Sequence, residues 1–119
     1  MDRKVVLLVV ACSLAVGGCK QGKTGGSSAS RQSILHREMA YLEELPEVAW
    51  YEVQGNNVYV GFKTLPADWK TVINGAALHG NKAIDFGCHV WAVHADKRGW
   101  RPGDGPFYGE STARYGRLE

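Results

Sequence analysis

Residues 49–63, AWYEVQGNNVYVGFK, decide the fold of this chain. Gly55-Asn56 suits a two-residue turn of type II′ or I′, and the flanking runs carry the aromatic and β-branched residues of paired strands. With that dipeptide as the loop, Val53 faces Val58, Tyr51 faces Val60 and Ala49 faces Phe62, so six side chains share one apolar surface. The opposite surface takes Trp50, Glu52, Gln54, Asn57, Tyr59, Gly61 and Lys63. A slip of one residue would turn every side chain to the wrong surface, which fixes the register.

The elements around the hairpin follow from periodicity. Ile34, Leu35, Leu42 and Leu45 recur at helical spacing after Ser33, a candidate N-cap, and Pro46 ends the run, so a helix is expected over 34–44. Beyond the hairpin, Pro66 suits a first helical turn, and Trp69, Val72, Ile73, Ala76 and Ala77 form one stripe that Gly80 is expected to terminate. Residues 83–94 alternate like a strand: Ile84, Phe86, Cys88, Val90 and Ala92 match the hairpin's apolar surface, and Asp85, Gly87, His89, Trp91 and Val93 face away. A right-handed crossover through the second helix makes this strand parallel to the second hairpin strand, with the first hairpin strand expected between them. The predicted fold class is α+β, a small single domain of order α-β-β-α-β. Its three-stranded sheet carries two helices on one face and a Gly/Pro-rich C-terminal tail.

That arrangement leaves Trp50, Tyr59, His89 and Trp91 on the face away from both helices. Monomers rarely leave so large an apolar patch bare. The tail holds Trp100, Phe107, Tyr108 and Tyr115 among several Gly and Pro residues. It is expected either to fold back and cap this face, or to leave part of it open as a platform rimmed by Arg98, Arg101 and Arg114. The candidate binding residues are therefore Trp50, Tyr59, His89, Trp91, Trp100 and Arg101, and the candidate partners an envelope protein, a peptide or a glycan.

Other chemistry finds less support. The 14 Lys and Arg against 12 Asp and Glu give a net charge of +2 with no basic block, so a nucleic-acid partner is not expected. Cys88 and His89 are consecutive on a strand and point to opposite faces, while His94 stands roughly 20 Å along the strand from Cys88. No metal ligand set, cofactor or catalytic residue is assigned on these grounds. Asp85-Phe86-Gly87 lacks the context of a kinase motif, and nothing brings Asp104 and Glu110 together as paired acids. The rival to a binding module is a small metal-dependent or hydrolytic envelope enzyme centred on His89, with Asp85 and an acid from the tail.

The amino-terminal segment gives an address. Arg3 and Lys4 precede twelve mostly apolar residues, 5–16, too short for the roughly 20 that span a bilayer. They lead into Val16-Gly17-Gly18-Cys19, which resembles the lipobox of bacterial lipoproteins. The resemblance implies a cleaved signal peptide over 1–18, diacylglycerol on Cys19 and acylation of the new amino terminus with a chain such as palmitate. It also implies attachment to the membrane through lipid, facing the periplasm or the cell surface. Lys20 stands where an inner-membrane retention signal of that class usually has Asp, so the cell outer membrane is expected if the source has two membranes. Residues 19–33 read as a lipidated flexible linker and 34–119 as the domain. With Cys12 removed and Cys19 lipidated, Cys88 has no partner for an intrachain disulfide. In element size the domain is similar to the BON-type α+β envelope modules, and no motif carries a function across from them.

Overall fold

The hairpin forms around Gly55, whose φ of +62° has the sign that the first position of a type II′ turn requires. In the computed structural model, which describes residues 27–119, its strands are β1 (Val48–Gln54) and β2 (Asn57–Phe62). Val53 pairs with Val58 and Tyr51 with Val60, as the sequence predicts. The outermost pair differs: a bulge between Val48 and Trp50 sets Val48, not Ala49, opposite Phe62. The extra residue lets the larger Val48 enter the core while Trp50 stays on the far face, with Ala49 left exposed. The expected signal peptide, 1–18, and residues 19–26 of the expected linker 19–33, Cys19 included, lie outside the described residues.

Helix α2 (Trp69–Ile84) crosses over to β3 (Cys88–His94), which runs parallel to β2. β2 itself pairs with β3 through Val58–Val90 and Val60–Ala92, so β2, not β1, is the middle strand of the three. The reason is two-sided burial. Every residue of β2 after Asn57 is buried, whereas β1 carries Glu52 and Gln54 to a sheet edge. The stretch expected as a structureless tail adds two more strands. β4 (Gly109–Arg114) pairs antiparallel with β3, and the two-residue β5 (Arg117–Leu118) returns on β4, giving the five-stranded order β1-β2-β3-β4-β5. β4 escapes hydrophobic periodicity because it reads GESTAR. Its buried positions are Ser111 and Ala113, small enough for α2 to lie close, and the Ser111 hydroxyl donates to Asn74 Oδ1 at 2.6 Å.

Both helices pack on one face of the sheet, as expected, but their limits differ. Helix α1 spans Ser28–Glu38, starting six residues before the expected 34 and inside the stretch read as linker; Ser27, not Ser33, is its cap, accepting from the Ser30 N–H at 3.1 Å. Residues 28–33 contain no large aliphatic side chain, so periodicity could not register them. Past Met39 the chain tightens into a 3₁₀ turn, Ala40–Glu44, whose three-residue repeat sends both Met39 and Leu42 into the core. α2 passes through Gly80 and ends at Asp85 in the left-handed region (φ 53°). Gly80 serves packing instead, since a Cβ there would stand 2.5 Å from Cys88 Sγ and close to Leu35 and Met39. The helix consumes Ile84, and Phe86 is exposed, so the third strand begins at Cys88 rather than 83.

Two glycines of α2 are predicted to respond oppositely to alanine. Gly80→Ala should destabilise by about 1–3 kcal/mol through overpacking. Gly75, with nothing within 4 Å of its missing Cβ, should gain roughly 0.5–1 kcal/mol. Urea midpoints of the two variants check both signs.

Candidate functional site

On the face away from the helices, Trp50, Tyr59, Trp91 and Val93 form a second apolar cluster together with Trp100 from the tail. The parity read from the sequence therefore holds, and the tail resolves what becomes of the face. After a 3₁₀ turn at Ala95–Lys97 the chain folds back, and Trp100 meets Tyr59 edge-on at 6.3 Å and Trp91 at 5.7 Å between ring centroids. Phe107 closes over Trp91 and Trp100 at 5.6 and 5.0 Å.

Polar contacts pin this cover. The Trp50 indole N–H donates to the Ala95 carbonyl at 2.8 Å. Arg101 lies 4.4 Å over the Tyr59 ring, donates through Nε to Gln54 Oε1 and through Nη1 to the Trp100 carbonyl, and stands 3.6 Å from Glu52. Arg98 stands over Trp50 and beside the same carboxylate. Burial raises the Tyr59 phenol pKa, with Arg101 opposing and Glu52 reinforcing the shift.

Of the six residues singled out from sequence, Trp50, Tyr59, Trp91 and Trp100 are buried, the most exposed of them at 9%. His89 and Arg101 reach solvent in part at the margin. The outward layer of this face is instead Phe107 and Tyr108, 40% and 37% exposed. Trp100 Nε1 is buried without a hydrogen-bond partner, which leaves its donor as a cost to the fold and the ring as its contribution.

His89 does meet an acid from the tail. The β3–β4 pairing sets Trp91 opposite Glu110 and brings Glu110 Oε1 to 2.5 Å from His89 Nε2, while the imidazole stacks on Trp91 at 4.0 Å and 11°. The other members of the expected constellation go elsewhere. Asp85 closes α2, and His94 accepts from the Asp96 N–H. Cys88 is fully buried on the helix side, where burial pushes its thiol up to about 12. Such a thiol is not a nucleophile at neutral pH. Among the described residues, no group of three or more His, Cys, Asp or Glu is placed to hold a metal ion.

A second site was not anticipated from sequence. A cleft of about 680 Å³ opens where the β1–β2 turn, the α2–β3 loop and the β4–β5 turn converge. Asn81, only 5% exposed, holds its walls: Nδ2 donates to the Phe86 carbonyl and Oδ1 accepts from the Gly116 N–H, each at 2.8 Å. Asn56 Nδ2 donates to the Gly87 carbonyl at 2.7 Å. Among the described residues, the two non-glycine positions with positive φ, Asp85 and Tyr115, both line this cleft. Tyr115 is 87% exposed despite that backbone cost. The residues come from turns far apart in the chain, so only the Tyr115-Gly116 dipeptide, a turn signal at the end of an unrecognised strand, could have pointed to it.

Trp100→Ala should cost about 3–5 kcal/mol by uncovering the second cluster. Trp100→Phe, which keeps an aromatic cover and removes the orphan donor, should stay within about 1 kcal/mol of the parent. Chemical denaturation distinguishes the two. Cys88 supplies a pH test. Its folded pKa is raised from 9.0 to about 12, so over that range the unfolded chain loses the proton first and stability falls as pH rises. Cys88→Ala should flatten part of that fall in midpoint-against-pH curves. Tyr41, Tyr51 and Tyr59, also raised by burial, act in the same direction.

Compared with known protein families, curated proteins and solved structures, the chain matches none, and the likeness in element size to BON-type modules gains no support from that comparison.

Proposed function

We propose that this chain is a lipid-anchored cell-envelope protein that works as a binding or interaction module, through the aromatic layer its tail lays over the sheet. The anchor rests on residues 1–19, with their basic start, short apolar run and Val16-Gly17-Gly18-Cys19. No helix among the described residues is long and apolar enough to cross a membrane.

The observation that carries the binding reading is Phe107. Its ring is held from behind by Trp91 and Trp100 yet is 40% exposed in front, with Tyr108 beside it. An aromatic fixed before contact loses little freedom on binding, and such side chains dominate recognition energetics. The partner class is another envelope protein, a peptide or a glycan. The hydrogen-bonded His89–Glu110 pair favours a second reading, a metal-dependent or hydrolytic enzyme centred on His89. That reading requires purified protein to retain metal or hydrolytic activity that His89→Gln abolishes.

In cells, Cys19→Ala should release the full chain from the membrane fraction and abolish labelling by an alkynyl palmitate. A photoreactive phenylalanine analogue at 107 should give a discrete covalent adduct that the same analogue at the exposed Leu65 does not. Equal behaviour at 107 and 65 would remove the proposed contact surface while leaving the anchor intact.

A further inference from the structure

The position of the anchor relative to the fold carries a second consequence, which rests on lipidation of Cys19. Ser27, where α1 begins, lies eight residues after Cys19. Whatever its conformation, that much chain spans at most about 28 Å. The start of α1 belongs to the same end of the domain as the cleft: Gln32 Oε1 accepts from the Gly55 N–H of the β1–β2 turn at 2.8 Å, and the Arg31 guanidinium lies 4.0 Å over the Phe86 ring. The cleft end is therefore the end drawn toward the bilayer.

This end has the composition of a membrane interface. Phe86 and Tyr115 are exposed, 45% and 87%, on either side of the cleft. Around them stand Arg31, Lys82, Arg114 and Arg117, against Asp85 and Glu119, the latter paired to Arg114 at 3.0 Å. The opposite end, where β2 and β3 finish and α2 starts, has no such excess: Glu47, Asp68 and Asp96 stand there with Lys63, Lys70 and Lys97. Exposed aromatic rings settle at the headgroup level and basic side chains are drawn to anionic lipid, so both the apolar and the charged features orient the domain the same way.

We infer that the cleft end is a docking face for the bilayer surface, taking anionic phospholipid headgroups. Phe86 and Tyr115 enter the interface, Lys82, Arg114 and Arg117 meet the lipid phosphates, and the opposite end of the domain is turned away from the membrane.

The test uses the full lipid-bearing protein in vesicles of phosphatidylcholine containing phosphatidylglycerol. Mass spectrometry first reads diacylglycerol on Cys19. A photoreactive phenylalanine analogue replacing the exposed Tyr115 should then form a phospholipid adduct, and the same analogue at Leu65 should not. Combining Lys82→Glu with Arg117→Glu should cut the adduct at 115 roughly 25-fold, about fivefold for each basic side chain lost. An acylated Cys19 with no adduct at 115 above that at 65, or with an adduct insensitive to the charge reversals, overturns the docking face and leaves the anchor standing. An unmodified Cys19 overturns both.

Discussion

Because β2 is apolar on both sides, with Val58, Val60 and Phe62 turned to the helices and Tyr59 turned away, the sheet needs two covers, and the chain has helices for only one of them. The rest of the architecture answers that demand. α1, its 3₁₀ extension and α2 close one side around Leu35, Met39, Leu42 and Ile73, all fully buried. The other side is closed by a folded-back loop led by Trp100, which contributes a ring where no helix is available. A loop has few internal hydrogen bonds to hold it, and here side chains supply the fastening: Arg98 and Arg101 share Glu52 and lie over Trp50 and Tyr59. Partly exposed ion pairs of this kind contribute little singly, so the stacking and the bonds to Gln54 and the Trp100 carbonyl matter more than the charges.

Close approach is the second requirement. Trp50 lies against Gly61 across the hairpin, where a Cβ would overlap the indole, and α2 settles on β3 where Gly80 meets Cys88. The bulge at Ala49 serves the same end, because it allows Val48 and Trp50 to face opposite layers although only one residue separates them. The cleft depends on a comparable economy, with the single buried amide of Asn81 tying the α2–β3 loop to the β4–β5 turn.

What could be read from the sequence was whatever period two or period 3.6 could carry. The pairs Val53–Val58 and Tyr51–Val60, the parallel direction of β3, the inward stripe of α2 and the sorting of Trp50, Tyr59 and Trp91 away from the helices were all legible, because large apolar side chains mark them. β4 was not, since Ser111 and Ala113 are buried for their smallness. The start of α1 was hidden in polar residues whose helix depends on the Ser27 cap and on Gln32 bonding to Gly55. Trp50, Tyr59 and Trp91 do lie on the face away from the helices, yet whether that face is covered was decided by a Gly- and Pro-rich segment without periodicity. The cleft, assembled from three separate turns, left only the turn signal of Tyr115-Gly116 as a local trace.

The order of the strands has one more consequence. With β2 interior, the free borders of the sheet are β1 and the two-residue β5. One border is interrupted by a bulge, and the other presents too little backbone to template a new strand. Neither border is thus a good template for strand addition between copies of the chain.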